Sequence, residues 1–316
     1  MNHTELQRSI ETAGLEARYD AHAKKFLSHK IVLAWIMHSC LEEYRDIDPQ
    51  VIADRYIEYT EVGTVGVLPS DSTELIRGGS AEDATPGEHR ITYDILFRAV
   101  APKGNELVDL ILNVEAQNHY HPGYPLVSRG IYYCSRMLSS QYGREFQNSE
   151  YGKLKKVYSI WVCTNPPADY RNSISAYEVK ERLNVGGKPR ATSDYDLLST
   201  VMICLGNPRE DNYAGILKFL GTLLSGELQP EEKETILQNE FHVAMNNEMK
   251  EEAAIMCNLS QGILQTGIDR GIEKGAMEKA RAMAQKLFAK GMSIEEIAEL
   301  VEYNVNQIKL WLADGH

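Results

Sequence analysis

Residues 110–117 read LILNVEAQ, and NHYHPGYP follows directly at 118–125. An apolar run of this kind looks like a buried strand, yet it closes on glutamate, alanine and glutamine. In a strand, residues i and i+2 face the same way. Glu115 and Gln117 therefore share one face, with Ala116 on the other. Just upstream, HRITYDILFRAVA (89–101), a PKGNE turn (102–106) and LVDLILNVEAQ (107–117) read as a hairpin. Pairing ITYDILF with LILNVEAQ brings Asp94 within reach of Glu115. Two carboxylates converging at a strand end suit a hard divalent cation, which prefers oxygen ligands. Such a cation activates water and stabilises charge on a phosphate.

Working outward, residues 1–60 read as N-terminal helices packing on this core. KKFLSHKIVLAWIMHSCLEEY (24–44) has helical apolar spacing and is expected as one helix, ended by Asp48-Pro49, with QVIADRYIEY (50–59) as a second short one. Residues 61–89, rich in Gly, Ser, Thr and acids, read as a loop or weakly ordered segment. The core is expected over 90–210. After the hairpin come a helix from about 125 to 143, a strand at KKVYSIWVCT, a strand or turn near SISAYEV, a basic Gly-Gly loop (VGGKPR) and a strand at LLSTVMICLG. That order predicts an α/β sandwich, not a repeated βαβ alternation. Residues 211–260 read as helices packing on or extending the core. Residues 261–316 read as a helical tail in which Gly262, Gly267, Gly271 and Gly275 recur, ending in a pair with helix–turn–helix-like spacing. Glycines at that spacing either weaken the helix, by roughly 1 kcal/mol each, or let another helix approach closely. The last pair carries four glutamates in SIEEIAELVEY and few bases, so a packing or oligomerisation element is expected rather than a DNA reader.

Composition narrows the class. The chain has 316 residues, 43% hydrophobic and 25% charged, enough for a sizeable core. No apolar run reaches the roughly 18 residues of a membrane span, and the N-terminus has no signal-peptide core. Five scattered cysteines with no CxxC pair read as buried thiols in a reducing compartment, so a cytoplasmic protein is expected. The net charge of −12 is the wrong sign for a protein that coats nucleic acid. Any such contact must be local, or mediated by a metal ion.

The residues YD at 93–94, NVEAQ at 113–117 and the following YPLVSRGIYYCSRMLSSQ resemble the PD-(D/E)XK nuclease superfamily, in particular its transposase-like branch of recombination-promoting nucleases. The resemblance extends through KVYSIWVC and LKFLGTLLS to the Gly-spaced tail. It implies a central mixed β-sheet flanked by helices, and metal-dependent DNA endonuclease activity. Mg²⁺, or another divalent cation such as Mn²⁺ or Ca²⁺, is the expected cofactor. DNA is the expected partner, taken as double-stranded, and a homodimer stays open. Asp94 and Glu115 match the metal-binding carboxylates, and the Ala116 backbone carbonyl matches a further ligand. Gln117 stands where the superfamily has lysine, as it commonly does in this branch. Glutamine carries no charge and is no base near neutral pH, but its amide can orient a water or a phosphate oxygen. The resemblance also points to an acid from the first helix, for which Glu43 is the candidate.

Arg129 and Tyr133, four apart on the helix that follows, share a face. Arg129 either clamps a phosphate or holds the acidic site together by pairing Glu115 or Asp94. His119 and His121 are two apart in a loop without further clear ligands, so they belong beside the cleft rather than to a dedicated transition-metal site. Lys153, Lys155, Lys156, Lys180, Arg182, Lys188 and Arg190 are either a flank for a nucleic-acid backbone or solvated surface charges. Three other functions fit the same chain. One is a catalytically weak or inactive module of this fold that binds DNA or a protein partner. Another is a protein-interaction or toxin–antitoxin-like module whose acidic surface binds a partner protein, which the net charge of −12 and the helical tail suit. The third is RNA cleavage.

Overall fold

The structure, a computed structural model, describes residues 3–57, 82–83, 91–103, 106–118, 120–209 and 214–313. It divides into two compact units, one of residues 16–259 and one of residues 1–15 with 260–316.

The larger unit is built on a mixed five-stranded sheet. A two-residue ladder, β1 (Glu82–Asp83) against β2 (Ile91–Thr92), comes first in the chain. The main sheet follows as β3 (Ile95–Lys103), β4 (Glu106–Gln117), β5 (Lys156–Cys163), β6 (Ser173–Glu178) and β7 (Leu198–Cys204). The spatial order is β3-β4-β5-β7-β6. The β3–β4 and β6–β7 pairs are antiparallel, whereas β4–β5 and β5–β7 are parallel. A parallel pair needs a crossover, and α4 (Leu126–Ser139) supplies it between β4 and β5.

The alternation in β4 sorts its side chains to two layers. Leu110, Leu112 and Val114 join a core with Phe26, Leu33 and Phe219. On the opposite face, Tyr133, Cys134 and Met137 of α4 pack with Val157, Trp161 and Met202. This is the expected α/β architecture, a mixed sheet flanked by helices.

The hairpin forms, but its strands run on through Pro102, Lys103 and Glu106 of the expected turn, whose remaining two residues lie outside the described ones, and its first run is not one strand. It is interrupted at Tyr93-Asp94, between β2 and β3. The expected continuous helix over 24–44 is also split. It becomes the end of α1 (His3–Leu27), then α2 (Lys30–Cys40), then a single 3₁₀ turn at Glu42–Tyr44. The break falls at Ser28-His29. The Ser28 hydroxyl donates to the Lys25 carbonyl at 2.7 Å, a local bond that competes with helix continuation. His29 is extended (φ −66°, ψ 131°) and buried. Next, α3 (Pro49–Arg55) starts on Asp48, whose carboxylate accepts the Gln50 N–H at 2.8 Å. The loop expected over 61–89 lies outside the described residues, apart from Glu82–Asp83 in β1. Two further helices, α5 (Gly215–Leu224) and α6 (Pro230–Phe241), occupy the expected helical stretch after the sheet.

A 43-residue helix, α7 (Asn247–Ala289), carries the glycine repeat. A Cβ on Gly267, Gly271 or Gly275 would meet nothing within 4 Å, so these three glycines do not seat another described element. In the smaller unit α8 (Ile294–Leu300) and α9 (Val305–Ala313) close a core of their own around Ala284, Ile297, Ile308 and Trp311. Among the described residues no helix is long and apolar enough to cross a membrane.

One glycine does set a close approach. A Cβ on Gly130 would lie 2.4 Å from Thr200 Cγ2 and 3.0 Å from Trp161 Nε1. The absence of a side chain lets α4 lie flush on β5 and β7. Gly130→Ala should lower stability by about 1–3 kcal/mol, as overpacking does. Urea unfolding would register this as an earlier midpoint with an unchanged slope.

Candidate functional site

The hairpin register pairs Ile95 with Val114, so the next step places Asp94 opposite Glu115. There the ladder gives way to a reciprocal exchange. The Asp94 N–H donates to Glu115 Oε1 at 3.0 Å, and the Ala116 N–H donates to Asp94 Oδ2 at 3.1 Å. Each carboxylate is held by a backbone N–H of the other strand. This accounts for the interruption of the first run at Asp94, because side-chain oxygens replace the carbonyls of a regular ladder. The strand-end pairing read from the sequence is thus present in space.

A third charge arrives from α1. Lys24 Nζ lies 2.7 Å from Asp94 Oδ1. Burial disfavours its ammonium, but the charge and hydrogen bond of Asp94, with Glu115 nearby, outweigh this and raise its pKa. Glu115 is only 5% exposed. Burial first, and the neighbouring Asp94 charge second, push its carboxyl up to about 8. The Asp94 N–H, Arg129 and Asn113 pull in the opposite direction without cancelling the shift. Beneath Glu115 on the same face, Asn113 Nδ2 reaches Ser159 Oγ at 3.4 Å, and Trp161 Nε1 donates to that hydroxyl at 2.9 Å. Gln117 shares this face and is half-buried, and its own carbonyl accepts the Thr164 N–H at 3.0 Å.

Arg129 binds neither carboxylate directly. Its Nε and Nη2 donate to the Tyr133 hydroxyl at 3.0 and 2.6 Å, and Nη1 donates to the Tyr124 hydroxyl. Its guanidinium carbon lies 5.1–5.4 Å from the ring centroids of Tyr133, Tyr124 and Trp161. Such a cage suits a planar delocalised cation. Tyr133 also packs edge-on against Tyr93, with centroids 5.2 Å apart, which ties the cage to the residue before Asp94.

The other expected residues are placed elsewhere. Glu43 sits at the opposite sheet face. It accepts the Tyr158 hydroxyl at 2.7 Å and Lys156 Nζ at 3.1 Å, and Lys156 also reaches Asp196 at 2.7 Å. Tyr158 belongs to the apolar layer with Leu112, whereas Glu115 faces the α4 layer. Glu43 is therefore not brought to Asp94 and Glu115. Within the expected basic flank, Lys153, Lys155 and Lys180 pair with Glu150, Glu145 and Glu178. His121 is exposed and meets the Tyr120 ring edge-on. His119 lies outside the described residues. Among the described residues no cluster of three or more His, Cys, Asp or Glu side chains is grouped for a metal ion.

The donor set is of the type a hard cation takes: two carboxylates, one of them raised by burial and then by its neighbour's charge, with Ala116 between Glu115 and Gln117 supplying a backbone carbonyl. A divalent ion between them would offset the Asp94 charge that adds to burial in raising Glu115. Lys24 escapes sequence reasoning because nothing local marks it. Only the reach of α1 to the hairpin identifies it. No protein-family model, curated protein or solved structure matches the chain.

The electrostatics make a pH prediction. In the unfolded chain Glu115 ionises near its ordinary value of 4.5, whereas in the fold it keeps its proton to about 8. The folded state then binds more protons, so this group's contribution falls as pH rises from about 4.5 through 8. Without divalent ions, Glu115→Gln should unfold at higher urea than the wild type at pH 8.5, and this gap should close toward pH 4.5. A constant offset at both pH values would show that Glu115 is not the titrating group.

Proposed function

We propose that the protein is a metal-dependent DNA endonuclease of the PD-(D/E)XK fold and its transposase-like branch, acting in the cytoplasm. The observation that carries this reading is the reciprocal Asp94–Glu115 pair at the end of β4, with a cation drawn to it from α1. Asp94, Glu115 and the Ala116 carbonyl would hold Mg²⁺, which supplies positive charge for the scissile phosphate and acidifies a water. Gln117 extends from the same strand face and offers an amide to orient that water or a phosphate oxygen. Lys24 adds the positive charge that glutamine lacks at the motif's last position. Arg129, fixed by two phenols, contributes a second cation without neutralising either acid. A chain of net charge −12 can engage double-stranded DNA in this manner, through a few cations at one cleft rather than a basic surface.

A second reading has one observation in its favour. The Lys24–Asp94 ion pair already balances one carboxylate without a metal, as a binding module with lost chemistry would do. Supercoiled plasmid separates the two. The nuclease should nick it with Mg²⁺ or Mn²⁺ and not with EDTA, and Asp94→Ala and Glu115→Ala should each lower the rate by about 10²-fold or more. Lys24→Met should slow nicking while leaving its metal requirement intact. Absence of nicking under every metal, or equal nicking by the variants, would leave the binding module as the better account.

A further inference from the structure

Three residues beyond Gln117 the chain opens a cleft of about 510 Å³, lined by Tyr120, His121, Gly123, Tyr124, Pro125 and Leu126. Its two tyrosines are fixed from behind. Tyr120 stacks on Tyr170, with centroids 5.2 Å apart and planes at 21°. Tyr124 accepts a hydrogen bond from Arg129, whose guanidinium carbon also lies 5.3 Å from its ring centroid. The turn between them is set by Gly123, at φ +96°, a conformation open to glycine and strained for other residues. Tyr124 nevertheless keeps 44% of its surface exposed. Large aromatic side chains held in place but left open to solvent are prepared to stack on something flat.

Charge narrows what that is. Arg129 joins the cleft to the acidic site: it bonds Tyr124 on one side and Tyr133 on the other, and Tyr133 packs on Tyr93 beside Asp94. Lys24 lies at Asp94. A ligand that reaches across would bring a planar aromatic group to the tyrosines and an anion to these cations. A nucleotide unit has both parts. The cleft's volume falls in the range of small-molecule sites, roughly 300–1,000 Å³. A base paired within a duplex has its faces covered by neighbours and cannot stack on a side chain, whereas an unpaired base can.

We propose that this cleft receives an unpaired nucleobase of the strand whose phosphate lies at Asp94 and Glu115. The position of the phosphate rests on the nuclease reading, whereas base stacking in the cleft does not. The protein would then favour DNA with an unpaired base, at a bulge, gap or single-stranded end, over a fully paired duplex.

The test is fluorescence anisotropy in EDTA with the full chain and three labelled oligonucleotides: a single strand, a paired duplex, and the same duplex with one bulged base. The single strand and the bulged duplex should bind more tightly than the paired duplex, and Tyr124→Ala should weaken both by about 10-fold. Tyr124→Phe, which keeps the ring and loses the hydroxyl, should bind like the wild type, separating stacking from misfolding. Equal affinity for all three oligonucleotides, or Tyr124→Ala and Tyr124→Phe behaving alike, would overturn the base site. Base-selective binding by a protein that never nicks plasmid would sustain the cleft while removing the nuclease reading. Metal-dependent nicking without base selectivity would do the reverse.

Discussion

Two carboxylates that trade backbone N–H groups across one step of a hairpin set the layout of the larger unit. Asp94 and Glu115 each need a donor because each is half-buried or buried, and each accepts a backbone N–H from across the hairpin, with Lys24 of α1 also reaching Asp94. Satisfying them makes β3 start at Ile95 and fixes the register of β4. A slip of one residue would turn Glu115 into the apolar layer of Leu112 and Val114. The acids therefore serve as the hairpin's registration mark as well as its candidate chemistry.

The surrounding layers hold that pair under electrostatic load. On the α1 side Lys24 neutralises Asp94. On the α4 side Glu115 lies in register with Trp161 and feels the charge of Arg129, which is itself bonded to the Tyr133 hydroxyl. Burial next to a second negative charge leaves Glu115 with a raised pKa. Holding an ionised Glu115 buried beside Asp94 costs stability, and that cost grows as pH rises and Glu115 loses its proton. The flush seating of α4 at Gly130 matters here, since it sets the height of Arg129 and Tyr133 above the sheet.

The parts legible in the sequence are those with a local period. Alternation in LILNVEAQ and the helical spacing after Pro125 give the second hairpin strand, the crossover helix and the sharing of one face by Glu115 and Gln117. What depends on long-range packing is hidden. Lys24 carries no mark that distinguishes it from Lys25, yet Lys24 meets Asp94 while Lys25 meets Glu248 and Glu252. Glu43 looks like a first-helix acid only while residues 24–44 form one helix. The break at Ser28-His29 re-aims the chain, and Glu43 ends at the Tyr158 hydroxyl. Cys163 and Cys204, distant in sequence, face each other in register on β5 and β7. The regular glycines of α7 suggest a packed seam, but none of the described residues lies within 4 Å of a Cβ built on Gly267, Gly271 or Gly275.

The most direct test of a metal centre at the hairpin end is calorimetric titration of Mn²⁺ into the wild type, Asp94→Asn and Glu115→Gln, each checked for folding by circular dichroism. Binding to the wild type that weakens at least about 10-fold in both variants is the expected result, because each removes one anionic oxygen ligand. Equal binding by all three proteins, or none by the wild type, would contradict a cation site at Asp94 and Glu115.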